Sequence, residues 1–230
     1  AFQVVLFGPY SNLARKYLWQ ALFELHMVAA AAGAAVDVRA ASRDGVEAGA
    51  KKLADIFAHN VTGDASTKAA FQACCVRYYP IASDADYAAF GDALAASELS
   101  DASVAEVAVS AEGDSLSQQR SRPIAPAPLL ARAVYMSVAP DIVEGILRRL
   151  RVHGRVAFSP SGSSGSSNSS SSSIGSSADS AGKHAVLPDG ARLLATPTRL
   201  LLEKPLGRDE ASAVSLLSGI ERHLHSGGTN

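Results

Sequence analysis

The chain has 230 residues, 47% of them hydrophobic and 19% charged, with a formal net charge of −1. That is enough apolar material for one good-sized core. The charge balance excludes the basic field that a nucleic-acid-binding surface needs. No apolar run reaches the roughly 18 residues of a bilayer-spanning helix. The nearest, Ala21 to Val38, is broken by Glu24, His26 and Asp37.

In chain order, the first element is a strand at 2–7, whose β-rich run Val4 to Phe7 is stopped by Gly8. A helix follows over 12–32, with Leu13, Tyr17, Ala21 and Leu25 on one face and Leu18 and Leu22 beside it. In strand–turn–helix units a pyrophosphate can rest on the helix N-terminus. Here the glycine fingerprint is incomplete, because Ser11 stands where a second glycine would allow close backbone approach. Read alone, the turn leaves nucleotide binding and a plain structural turn both open.

The pattern continues as strand 35–40, helix 45–59, strand 73–81, helix 84–97, strand 132–138, helix 141–151, strand 199–203 and helix 209–225. Alternating strands and helices predict an α/β, Rossmann-like, doubly wound parallel sheet, with 1–230 as a single domain. Two stretches interrupt it. Residues 100–131 are polar and then proline-rich (Pro123, Pro126, Pro128), which predicts a surface loop. Residues 159–177 hold 13 serines, too polar to offset their ordering entropy, so a disordered, passive insertion is expected over about 155–195. Loop-closure entropy grows slowly with length, so such an insertion costs little.

Cys74 and Cys75 are adjacent, which suits neither an ordinary disulfide nor a spaced metal pair. They read as strand residues. The six histidines show no metal-ligand spacing, so no metal is expected. The last helix places Ala213, Leu216, Leu217, Ile220 and Leu224 on its inner side, with His223 and His225 solvated. The chain opens without Met or a signal-peptide pattern, inside its first strand, and reads as a fragment whose compartment is left open.

The most informative stretch is Leu200-Leu201-Leu202-Glu203-Lys204-Pro205-Leu206-Gly207-Arg208-Asp209. Three leucines read as a buried strand, which Pro205 and Gly207 stop. Ligands of parallel α/β sheets bind at the carboxyl ends of the strands. Lys204 sits at such an end, where a structural salt bridge and a ligand contact are both open.

Glu203 to Asp209 resembles the Glu-Lys-Pro-Phe-Gly-Arg-Asp strand end of the glucose-6-phosphate dehydrogenase family, with Leu206 for Phe. Gly8-Pro9-Tyr10-Ser11-Asn12-Leu13-Ala14-Arg15-Lys16 is similar to that family's Gly-Ala-Ser/Thr-Gly-Asp-Leu-Ala-Lys-Lys. Arg132 to Pro140 resembles its Arg-Leu-Phe-Tyr-Leu-Ala-Leu-Pro-Pro, with Glu144 at the matching distance. Tyr78-Tyr79-Pro80-Ile81 with Asp86-Tyr87 is a weaker echo, and Leu13 to Gln20 leans toward the hexose-6-phosphate dehydrogenase branch. The likeness covers the chain except about 155–195.

The resemblance implies oxidation of glucose 6-phosphate, or a related hexose 6-phosphate, at carbon 1. Hydride would pass to NADP, or to NAD, within the oxidative pentose phosphate pathway. It implies a homo-oligomer formed through a C-terminal domain outside this chain. The expected coenzyme contacts are Gly8, Pro9, Tyr10, Ser11, Asn12, Leu13, Arg15, Arg43, Pro140 and Lys204. Lys204 is the expected catalytic residue and, with Lys16, the substrate contact. Pro205 is expected to aim Lys204, a cis bond being one way. For Pro140 an ordinary strand-end proline is the equal alternative, and for Lys16 a solvated side chain. The family's general-base histidine, in an Asp-His-Tyr-Leu-Gly-Lys motif, has no counterpart before Asn230, and His223 and His225 receive no role.

The chain departs from the pattern at Pro9, Tyr10 and Ser11, at Ala139, and at Val143, where tyrosine is common. Ser42 replaces the arginine that binds the coenzyme 2′-phosphate, with Arg43 next door. Two readings of different class follow. Retained Glu203-Lys204-Pro205 favours a dehydrogenase coenzyme domain, and the altered turn favours a non-catalytic relative serving as a binding or interaction module.

Overall fold

The computed structural model describes residues 2–109, 131–154, 156 and 198–225. The serine tract and the proline-rich stretch lie outside the described residues. Five strands, β1 (Phe2–Phe7), β2 (Val36–Ser42), β3 (Val76–Pro80), β4 (Ala131–Met136) and β5 (Thr198–Leu202), pair in parallel in the order β3-β2-β1-β4-β5. Strand order reverses between β1 and β4, the switch point at which α/β sheets bind ligands. The doubly wound sheet expected from the alternating pattern is present.

Central β1 is apolar apart from Gln3 because both faces are covered. On one face Leu6, Val38 and Ala40 pack with Trp19 and Phe23 of α1 (Trp19–Ala31), Leu53, Ile56 and Phe57 of α2 (Val46–His59) and Phe71 of α3 (Ala65–Cys75). On the other, Val5, Phe7, Ala41, Val134 and Met136 meet α4 (Asp84–Val109), α5 (Pro140–Val152) and α6 (Glu210–His225).

At the amino ends of the strands this second face turns polar. Asp37, Gln3, Arg132 and Thr198 lie in one row across four strands. Arg132 Nε donates to Gln3 Oε1 at 2.6 Å, and Gln3 Nε2 donates to Asp37 Oδ2 at 2.8 Å. Arg39 pairs with Asp37 at 2.7 Å and donates to the hydroxyls of Tyr79 and Ser97. Buried polar groups are tolerable when partnered in this way.

Several expectations are corrected. The apolar face expected at Leu13, Tyr17, Ala21 and Leu25 is not the buried one, since Tyr17, Ala21 and Leu25 are exposed. Residues Ala14–Leu18 form a π-helical turn. It carries the buried side from Ala14 to Trp19, five positions on, before the ordinary four to Phe23. One extra residue turns the face by about 100°.

The strand expected at 73–81 is helix α3 up to Cys75 and strand only from Val76. Asp64 caps α3, its carboxylate accepting the Thr67 N–H at 2.9 Å. Cys74 and Cys75 are therefore helical, and both are free. The first part of the loop expected from 100 is helical instead, because α4 runs on to Val109, and the rest lies outside the described residues. A capping box starts that helix: Asp86 accepts from the Ser83 N–H at 2.7 Å and Ser83 Oγ accepts from the Asp86 N–H at 3.2 Å.

Strand β5 is half-buried rather than buried. Among the described residues it pairs with β4 alone, and Leu201 is 47% exposed. In α6, Leu217 faces outward. His223 is not solvated: its side chain is 17% exposed and lies 3.7 Å from Glu144 of α5, which also pairs with Arg222 at 3.1 Å.

Candidate functional site

The switch point is built on Gly8. Its φ is +72°, in the left-handed region. A Cβ there would fall 2.1 Å from the Ser137 carbonyl oxygen and 2.9 Å from Val138 Cγ1. Only glycine fits. Gly8 N–H donates to Ala41 O at 3.3 Å and Ser137 N–H donates to Phe7 O at 2.9 Å, so the ends of β1, β2 and β4 are tied together.

The side chains expected to disturb this turn point into the protein. Pro9 is buried and its carbonyl accepts the Trp19 indole N–H at 2.9 Å. Tyr10 donates to Gly49 O of α2 at 2.9 Å. Burial raises its phenol above the ordinary pKa, and Tyr78 adds to the shift. Ser11 caps the helical run that starts at Asn12: its Oγ accepts the Ala14 N–H at 3.0 Å and touches the Ser137 hydroxyl. One helix-start donor is thereby taken. Asn12 and Leu13 open the helix, so their N–H groups have no carbonyl a turn earlier to serve.

Beside Gly8 lies a cleft of about 540 Å³. Phe7, Ala41, Ile81 and Ile146 give it apolar surface, while Ser42, Arg43 and Asp44 enter from β2. Asp44 is held by Lys52 at 2.8 Å, and its carboxylate also lies 3.1 Å from the Ser42 hydroxyl. The Lys52 hydrogen bond, aided by Ser42, keeps that carboxyl below its usual pKa. Arg43 is exposed and has no ion pair among the described residues. Tyr87 is buried at the cleft, its phenol raised by burial against the opposing charges of Arg149 and Arg43. Arg149 is anchored to Asp84 at 3.0 Å and lies 5.7 Å from the Tyr87 ring.

A second polar group of interest lies where β4 and β5 end. Burial raises the Tyr135 phenol, and the charge and hydrogen bond of Glu203 raise it further. Glu203 Oε1 is buried without a hydrogen-bond partner among the described residues. Such an oxygen is costly unless a donor arrives. Lys204 is exposed next to it, and the Lys204–Pro205 bond is cis. Asp209 then caps α6, accepting the Ser212 N–H at 2.8 Å.

Of the expected site residues, the structure brings Gly8 and Arg43 into one cleft. Pro140 opens α5 as its first turn, between the cleft residues Val138 and Asp141. Arg15 and Tyr10 line a different hollow of about 350 Å³, with Lys52, Asp55 and His59. Lys16 is exposed on the π turn, and neither it nor Lys204 lines these two hollows. Sequence reasoning assigned no role to Gly145, Arg148 and Arg149, which wall the cleft from α5. Their spacing on one helix face was the available signal. Among the described residues no group of acidic, histidine or cysteine side chains could hold a metal ion, and no helix is long and apolar enough to cross a membrane.

A family model described as "Glucose-6-phosphate dehydrogenase, NAD binding domain" matches residues 5–227. The chain belongs to the glucose-6-phosphate dehydrogenase family. Comparison with curated proteins gives no match. Among solved structures, the glucose-6-phosphate 1-dehydrogenase from Mycobacterium avium is similar, with a TM-score of 0.51 and 16% identity. The match covers 97% of this chain and 34% of that one, so the chain spans about a third of that protein's length. Identity this low speaks to fold alone. A nicotinamide coenzyme, which the family domain implies, fits what is present: a cleft opens beside Gly8 at the switch point, and Glu203 Oε1 lacks a donor among the described residues.

Proposed function

We propose that residues 1–230 form the coenzyme domain of an NADP-dependent glucose-6-phosphate 1-dehydrogenase, of the branch that takes hexose 6-phosphates more broadly, serving the oxidative pentose phosphate pathway. The observation that carries this is the contrast at the end of β2. In NAD sites of this fold a carboxylate takes the ribose 2′-hydroxyl, and an arginine nearby accommodates a 2′-phosphate. Here Asp44 is held by Lys52, while its neighbour Arg43 stands in the cleft without an ion pair among the described residues.

On this reading Gly8 permits the turn, and Asn12 and Leu13 offer N–H groups to the pyrophosphate. Pro9, Tyr10, Ser11 and Arg15 shape the turn from behind. Pro140 borders the nicotinamide end. Lys204 binds sugar phosphate and coenzyme together, and Lys16 adds a cation on the substrate side. When bound, the coenzyme supplies the hydride acceptor. Oxidation at carbon 1 removes a hydride and a hydroxyl proton and leaves the lactone. Lys204 holds the hydroxyl and adds positive charge as oxygen gains electron density. The base that takes the proton belongs to the part of the family protein that this chain does not span, as do the contacts between subunits.

One observation favours a non-catalytic module instead: Ser11 occupies the Ala14 N–H, a donor that a pyrophosphate would use. Calorimetric titration with NADP and with NAD separates the two. The dehydrogenase reading expects micromolar binding, tighter for NADP, that weakens in Arg43→Ala and Lys204→Ala. Absence of binding to both coenzymes would put the non-catalytic reading in its place.

A further inference from the structure

Gly145 lies inside α5, where glycine is among the least favoured residues for a helix. Packing does not ask for it. A Cβ at Gly49 would strike the Tyr78 ring at 2.2 Å, at Gly91 the Gly154 carbonyl at 2.4 Å, and at Gly219 the Glu144 carboxylate at 2.7 Å. At Gly145 a Cβ meets nothing within 4 Å. The space it leaves empty belongs to the cleft, which Gly145 lines.

Asp141, Ile142, Gly145, Arg148 and Arg149 recur at helical spacing and all line that cleft. The two arginines differ. Arg149 is committed to Asp84 and Tyr87. Arg148 is exposed at the cleft and has no ion pair among the described residues. Arg43 reaches the same cleft from the β2 loop. Apolar surface from Ile142, Ile146 and Ile81 beside a helix wall with no side chain suits a flat aromatic ring. Two arginines from separate elements suit a phosphate dianion.

We propose that two residues of α5 set coenzyme affinity and choice in this chain: the missing Cβ of Gly145 makes room for the purine, and Arg148 joins Arg43 on the adenosine 2′-phosphate. This rests on the coenzyme reading above. Gly145 thus governs affinity for both coenzymes, and Arg148 governs the choice between them.

The test is calorimetric titration of the whole 230-residue chain with NADP and with NAD. Gly145→Leu should weaken both by about tenfold or more without lowering Tm, since added bulk enters open space. Gly145→Ala should give a smaller loss for both with a higher Tm, and it decides the matter where the leucine variant fails to fold. Arg148→Ala should weaken NADP by about fivefold and leave NAD within about twofold, with Arg148→Lys restoring part of the difference. Normal affinity in both Gly145 variants, or an Arg148→Ala loss equal for the two coenzymes, overturns the proposal. Wild type that binds neither coenzyme overturns the underlying reading, and the proposal with it.

Discussion

Lys52 Nζ lies 2.8 Å from Asp44 Oδ1, so the one carboxylate presented by the β2 loop at the cleft is already engaged. Removing the lysine should release Asp44 toward a ribose hydroxyl and set a negative charge against a 2′-phosphate. Lys52→Ala is expected to lower the preference for NADP over NAD by about threefold to tenfold. Partly exposed ion pairs contribute little to folding, so Tm should hardly move. Parallel titrations with the two coenzymes read the ratio, and an unchanged ratio would remove Asp44 from the specificity argument.

Gly8 tests the switch point itself. Alanine there must adopt a positive φ and also push the Ser137 carbonyl, 2.1 Å from the new Cβ. Strain and overlap together should cost at least about 2 kcal/mol. Urea unfolding followed by circular dichroism measures the loss. A variant as stable as wild type would mean that the turn can move out of the way.

Asp64 sets a pH dependence for α3. Hydrogen bonds from Ser66, then from the Thr67 N–H and hydroxyl, lower its carboxyl to about 2 from an ordinary value of 3.8. A group with a depressed folded pKa contributes stability above its unfolded pKa and loses it as pH falls through the folded one. Asp64 therefore supports α3 fully above about pH 4 and progressively less down to about pH 2. Asp64→Asn keeps the cap and should match wild type at neutral pH while flattening this acid loss. Asp64→Ala should melt lower at every pH. Melting curves of the three proteins between pH 2 and 7 make the comparison.

Gln3 sits between a buried arginine and a carboxylate, accepting from Arg132 Nε at 2.6 Å and donating to Asp37 at 2.8 Å. Gln3→Leu leaves both charged partners short of a hydrogen bond. The expected cost is about 3 kcal/mol in urea unfolding, the scale for a lost bond to a buried charge. A change below 1 kcal/mol would mean that neighbours or water replace the glutamine.

Period and punctuation carried the sheet. Val4 to Phe7 before Gly8, and the leucines before Pro205, marked strands and their exits, and these exits frame the candidate site. The buried face of the first helix was illegible because a π turn leaves no mark in residue type, so counting from Leu13 put Tyr17 inside and missed Trp19. Helix α3 was hidden by two cysteines leading into a β-rich run, although Asp64 three residues before Thr67 was a readable cap. Tyr10 and Ser11 looked like obstacles. Ser11, three residues before Ala14, was a readable cap, whereas the Tyr10 hydrogen bond to Gly49 joins separate elements and could not be read from spacing. Gly145 was legible only as an oddity, a glycine in a strongly amphipathic helix.

The polar row at the foot of the sheet has an effect at its top. Parallel strands have no hairpins to set their alignment, and here Gln3, Asp37, Arg132 and Thr198 come from widely separated parts of the chain. Sliding one strand by a single residue would turn its polar member to the opposite face and leave its partners buried alone. The row acts as a key that admits one alignment. With these four strands clamped at their starts, Gly8, Ser42, Ser137 and Glu203 emerge at fixed relative heights. The shape of the cleft is thus decided at the end of the sheet farthest from it.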